Sequence, residues 1–349
     1  MSTEMTTGTL QYLRAPFITN VKAGMKVLVI TDFAHDPRVW QAIMSVLSEL
    51  GADAALAIFD ARPADYFDPP KPVCDAMLNV DLNVLVATTG MLHAPASMAA
   101  QIAGIPVICM DGGMTLEMFQ SGAVTENQRE MAIRHHYVGT NIVGADAKIC
   151  RVTSKYGTDL TYSVEGRIFP PSLPDENFTP YKVNHLSKSS RRKSSLYRFL
   201  YPNGELNICP VEYSANGKLV FDLCIHKFGR IKDPIELTIE KGRITNISGG
   251  ADAFSLRNYL AEHADENGYI CPAEASIGIN SRAQIRGVQR EDKNILGSMH
   301  FGLGTNVDVG GEIMSNIHMD GVILQPSLYV DGDLRIEHGR FTRPVDRPL

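Results

Sequence analysis

At 349 residues the chain is long for a single hydrophobic core, so two domains are expected. Its apolar share of 44% and charged share of 21% are those of a globular protein. A net charge of −6 gives no footprint for nucleic acid or an anionic membrane, and no apolar run reaches spanning length.

Residues 1–24 read as a helical or loose lead-in. Lys26–Asp32 follows as a short, β-branched, buried strand. Pro37 and the apolar spacing Val39, Ile43, Val46, Leu47, Leu50 predict a helix that stops at Gly51. Ala54–Phe59, Val84–Ala87 and Val107–Met110 read as further strands, with a helix near Ser97–Ala103. Alternating strands and helices predict a doubly wound, Rossmann-like parallel sheet over residues 1–185. No Gly-x-Gly-x-x-Gly follows Ile30, so the dinucleotide fingerprint is missing. The turns beyond the strands place Arg38 and His93 as candidate substrate-binding residues.

A helix over Glu126–Val138 carries His135 and His136. Neighbours on a helix diverge by about 100°, so they cannot share a metal, and both are expected on the surface. From Pro170 to Ser195 the composition turns to Pro, Ser and Lys/Arg, as in a solvated connection or a lid attracting an anionic substrate. Beyond it, short strands such as Lys218–Ile225, Ile235–Glu240 and Arg243–Ser248 predominate, with one helix at Phe254–His263. A C-terminal β-rich α+β domain over residues 186–349 is predicted.

That domain holds the candidate chemistry. His318 and Asp320, two apart in a β-branched stretch, face the same side of a strand about 7 Å apart. With Glu205, Glu274 and His300 they supply three carboxylates and two imidazoles. Their formal charge of −3 suits two divalent cations and one bound hydroxide. The carboxylates favour Zn, Co, Mn or Mg over a thiolate-bound ion. The six cysteines are scattered with no Cys-x-x-Cys pair, and Met1–Asn20 lacks the pattern of a signal peptide; a cytoplasmic protein is expected.

The chain resembles the thermophilic metallo-aminopeptidases of the aminopeptidase T type. The matching stretches are Gly157-Thr158-Asp159-Leu160, Pro202-Asn203-Gly204-Glu205, Ala273-Glu274-Ala275-Ser276-Ile277-Gly278, His300-Phe301-Gly302-Leu303-Gly304 and His318-Met319-Asp320. The resemblance implies a metal pair on Glu205, Glu274, His300, His318 and Asp320, and a homodimer or larger homo-oligomer. Val307 stands where those peptidases carry a Tyr, seven residues beyond His300, which argues for a small amide rather than a peptide.

The chain is also similar to a relative of that family, the iron-dependent 2,5-dihydroxypyridine 5,6-dioxygenase. Asp36-Pro37-Arg38, Met91-Leu92-His93, Arg282-Ala283-Gln284, Val309-Gly310-Gly311 and His318-x-Asp320 carry this likeness. That enzyme has a His in the place of Glu274 and another near Thr161, and it lacks counterparts of Glu205 and His300. Three functions are thus expected in turn. The first is a two-metal (Zn, Co or Mn) hydrolase of amide-type C–N bonds in a small molecule, with Glu205 or Glu274 as proton shuttle. The second is a ring-opening dioxygenase with one Fe(II) on His300, His318 and Asp320. The third is a non-catalytic binding protein.

Overall fold

The computed structural model describes residues 7–18, 20–167, 181–183, 196–307 and 309–345; the basic Lys188–Lys193 stretch lies outside them. In chain order, the N-terminal elements are α1 (Thr7–Ile18), β1 (Lys26–Asp32), α2 (Pro37–Glu49), β2 (Asp53–Phe59), α3 (Lys71–Met77), β3 (Leu82–Leu85), α4 (Pro95–Ile102) and β4 (Val107–Cys109). Next come α5 (Gln128–Tyr137), β5 (Ile149–Thr153), β6 (Asp159–Ser163), β7 (Tyr181–Val183) and β8 (Leu196–Leu200). Then follow β9 (Glu205–Ile208), β10 (Asn216–Phe221), β11 (Cys224–Ile225), β12 (Gly229–Arg230), β13 (Ile235–Glu240) and β14 (Arg243–Ser248). The chain ends with α6 (Ala251–His263), β15 (Glu274–Gly278), α7 (Gln289–Asp292), β16 (Met299–Gly304), β17 (His318–Ile323), β18 (Ser327–Val330), β19 (Asp333–Glu337) and β20 (Arg340–Phe341).

The chain forms two compact units. The first contains α1–α4 and a six-stranded sheet ordered β2-β1-β3-β4-β8-β7, in which the pairs from β2 through β8 are parallel. Every residue of β1 after Lys26 is buried, as a strand covered on both faces requires. At the start of α2, the Asp36 side chain accepts from the Arg38 N–H with Pro37 in the first turn, the combination that starts helices.

The second unit holds two antiparallel sheets. One has eight strands, β14-β13-β10-β6-β5-β18-β19-β20; the other has six, β12-β11-β17-β16-β15-β9. Strand alternation sets how the sheets meet. Phe301 of β16 packs edge-on against Tyr162 of β6, with ring centroids 6.2 Å apart. Gly321 of β17 lies under the Phe221 ring of β10, where a Cβ would come within 2.4 Å of ring carbons. Odd-numbered residues of β16 and β17 therefore face the other sheet, and even-numbered ones face away.

The expected architecture, a parallel α/β sheet followed by a β-rich region, is the one observed. The chain passes between the units more than once. β5 and β6, which precede the expected boundary at 185/186, pair within the eight-stranded sheet, while β8, which follows it, joins the parallel sheet. His135 departs from expectation: it is buried, with 8% of its surface exposed, and His136 alone is exposed. The 100° between neighbours on α5 turns one imidazole inward and the other to solvent.

Candidate metal centre

Four adjacent strands of the six-stranded sheet bring the five predicted ligands to one face. β17 carries His318 and Asp320, β16 carries His300, β15 carries Glu274 and β9 carries Glu205. The register sets Gly302 opposite both Asp320 and Glu274, and His300 opposite Ser276. All five are buried. They form two triples sharing Glu274: Glu205–Glu274–His300 and Glu274–His318–Asp320, each with ligand atoms within 4.8 Å of one another.

Hydrogen bonds distinguish the two imidazoles. His318 Nδ1 lies 2.8 Å from the Thr305 carbonyl oxygen, which can only accept, so Nδ1 carries a proton. His318 Nε2 then points at Glu274 Oε2 (3.4 Å) and Asp320 Oδ1 (3.1 Å). In the neutral tautomer these are three lone-pair atoms turned on one another, an arrangement that only a cation between them relieves. The carbonyl-anchored imidazole is already oriented to ligate such an ion.

His300 is held the other way. Its Nε2 lies 3.2 Å from Glu274 Oε1, so that nitrogen is the donor, and its Nδ1 has no hydrogen-bond partner among the described residues. Glu274 Oε1 also accepts from Ser276 Oγ at 2.7 Å and Asn207 Nδ2 at 2.9 Å. Three donors thus occupy Oε1, and Oε2 is the oxygen left facing His318. Asp320 is divided likewise: its Oδ2 accepts from Gln289 Nε2 at 2.6 Å and lies 3.4 Å from Lys293 Nζ, leaving Oδ1 toward His318.

Burial by itself would raise both carboxyls. Hydrogen bonds from His300 and His318 outweigh it at Glu274, and the charges of Lys293 and His318 outweigh it at Asp320, so both stay well below the usual carboxylate range. Gly302 completes the fit. A Cβ there would lie 3.1 Å from His318 Cε1 and 3.2 Å from Asp320 Oδ1, so the missing side chain leaves the space in which these groups converge.

The sequence reading missed Lys293, Gln289, Asn207, Ser276 and Thr305. Gln289 and Lys293, four apart, project from one side of α7 and its C-terminal cap toward Asp320. In sequence, Arg290-Glu291-Asp292-Lys293 has the look of a solvated charge run, yet all four residues are buried. The expected charge of −3 therefore omits one ammonium.

Arg38 and His93 belong to the first unit. Arg38 is exposed and its guanidinium bonds Asp36, Nη2 to Oδ2, at 2.6 Å. The His93 ring packs edge-on to Tyr66, with centroids 5.0 Å apart. Its loop is fixed by buried aspartates: Asp32 accepts from the Thr88 N–H, Asp65 from that of Gly90, and Asp111 from those of Met91 and Leu92.

Residues 198–343 match the family model of NicX, 2,5-dihydroxypyridine 5,6-dioxygenase. The 2,5-dihydroxypyridine 5,6-dioxygenase of Pseudomonas putida is 31% identical over 158 residues, 42% of this chain and 45% of that protein. The match therefore spans less than half of that relative's length. The likeness to the dihydroxypyridine dioxygenases expected from the sequence is found over this stretch. The solved 2,5-dihydroxypyridine dioxygenase from P. putida KT2440 superposes with a TM-score of 0.71 at 21% identity, over 98% of this chain and 100% of that one. Wild-type AmpT from Thermus thermophilus superposes with a TM-score of 0.67 at 12% identity, over 96% and 99% respectively. At these identities both likenesses are of fold. No helix among the described residues is long and apolar enough to cross a membrane.

Proposed function

We propose that the chain is a metal-dependent dioxygenase that opens the ring of a dihydroxypyridine-like N-heterocycle, with one Fe(II) held by Glu274, His318 and Asp320. The observation that carries this is the convergence of Glu274 Oε2, His318 Nε2 and Asp320 Oδ1, while the outward atoms of all three already have protein partners. A single imidazole with two carboxylates is a nitrogen–oxygen donor set for a borderline divalent ion such as Fe(II), one carboxylate richer and one imidazole poorer than the two-His-one-carboxylate set of non-haem oxygenases. His318, not His300, supplies that imidazole: the Thr305 carbonyl fixes its Nδ1 and so frees Nε2 to ligate, whereas the Nδ1 of His300 has no such anchor among the described residues.

Bound there, Fe(II) would supply open positions at which dioxygen and an ionised dihydroxy heterocycle meet. The protein's part is to fix the three ligand atoms, keep both carboxylates ionised and exclude bulk water. Thr305 holds the His318 tautomer, and Ser276 and Asn207 hold the Glu274 rotamer. The family match and the P. putida relative support the oxygenase reading; the hydrolase reading, with two ions and Glu205 or Glu274 as shuttle, draws on a likeness of fold to AmpT.

Protein purified without air or chelator should carry about one iron per chain and consume oxygen when given 2,5-dihydroxypyridine. His318→Ala should lose the iron and the oxygen uptake while keeping its circular dichroism. Two zinc, cobalt or manganese ions per chain, with amide cleavage and no oxygen uptake, would restore the hydrolase in its place.

A further inference from the structure

Lys293 stands among the candidate ligands and cannot be one while protonated. Its Nζ lies 2.9 Å from Glu205 Oε2 and 3.4 Å from Asp320 Oδ2, so the ammonium touches one carboxylate of each triple. It is buried. We infer that Lys293 is a built-in counter-ion occupying the role of a second metal, so that this centre accepts one divalent cation and refuses another. The inference rests on the single-ion site proposed above and adds the residue that enforces it.

Charge is the first reason. Glu205, Glu274 and Asp320 with Lys293 carry a net −2, which one divalent ion cancels. A second would leave a buried excess of +2 beside an ammonium, with no solvent to screen it. Geometry is the second reason. The other triple would need Glu205, the far oxygen of Glu274 and His300. Lys293 holds Glu205 Oε2, three donors hold Glu274 Oε1, and one of those donors is His300. One oxygen of Glu205 and one of Glu274 therefore already face proton-bearing groups.

Rigidity is the third reason. The turn that carries Lys293 is tied down on both neighbouring carboxylates. Asp292 accepts from the backbone N–H groups of Arg286 and Gly287, at 2.7 and 2.9 Å. Glu291 accepts from Gln284 N–H at 2.9 Å and from Arg286 Nε at 3.2 Å. The anchored turn cannot carry the ammonium away as a body, and swinging the side chain aside would strip Glu205 and Asp320 of their buried partner.

The test is an anaerobic titration with Mn(II), reading bound metal per chain after gel filtration and the electron paramagnetic resonance spectrum. Wild type should saturate at one ion with the spectrum of an isolated Mn(II). Lys293→Met should take a second ion and show the exchange-coupled spectrum of a pair. The double variant Lys293→Met/Glu205→Gln, which removes the buried charges together, should return to one ion; it keeps the test open should the single variant not fold. Two ions in wild type, a second ion in the double variant, or one ion in a folded Lys293→Met protein would each overturn the inference. A wild type that binds no Mn(II) would instead sink the metal reading itself, and the inference with it.

Discussion

Gly302 shows how narrowly the centre is fixed at the scale of single residues. It shares the site-facing side of β16 with His300 and sits opposite both Asp320 and Glu274. An added methyl would stand 3.1 Å from both Glu274 Cβ and His318 Cε1, tighter than ordinary van der Waals contact. Gly302→Ala should therefore leave the fold intact, displace the ligands by tenths of an ångström, and weaken metal binding about 10–100-fold, as for disturbed ligand supports elsewhere. Competition against a metal-sensitive dye would read this directly, and an unchanged affinity would mean the ion binds away from Gly302. His318-x-Asp320 could be read as a same-face pair because strand alternation acts within three residues. Thr305 and Lys293 could not, since the partners they meet lie 13 and 27 or more residues away in sequence.

Two elements decide how well the centre is supported. β17 works with both faces, His318 and Asp320 on one and Gly321 on the other. A Cβ at Gly321 would fall 2.4 Å from the Phe221 ring, and the ring has the opposing sheet behind it. Gly321→Ala should cost at least about 1–3 kcal/mol through overpacking, seen as a lower urea midpoint with an unchanged slope; a neutral effect would show that the two sheets separate easily. α5 makes a different prediction. Burial, helped by the charge of His136, lowers the pKa of His135 from 6.5 to about 4. Between those values the unfolded chain takes up a proton that the folded chain refuses, so this contribution is complete above pH 6.5 and is lost as pH falls toward 4. The loss amounts to at most about 3 kcal/mol. His135→Gln should flatten the stability–pH profile over that window, and an identical slope in both proteins would show that His135 protonates freely in the fold. Elements of strong local period, such as β13 and β14, were legible in the sequence to the residue. β9 and α7 were not: at four residues each they are too short for periodicity, and tertiary burial overrides the charged composition of α7.

For the whole molecule, the ligands lie in one unit only. All five come from strands of the six-stranded sheet in the second unit, so an ion on Glu274, His318 and Asp320 ties β15 to β17 across β16, with β9 beside them, and takes no ligand from the parallel sheet. An ion that binds only the folded state at a free concentration 100 times its Kd stabilises by about 2.7 kcal/mol. Chelation should remove that amount from the second unit alone. Hydrogen exchange followed by peptide should then show faster exchange over residues 205–208, 274–278, 299–304 and 318–323 after chelation, with β1 to β4 unchanged. Metal loss withdraws the partner of Glu274 Oε2 and Asp320 Oδ1, the oxygens that face the ion, whereas Glu205 is no ligand of it and keeps Lys293 at Oε2. β9 should accordingly lose less protection than β15 and β17. Equal loss across the four strands would mean that the ion, and not Lys293, is what holds Glu205 in place.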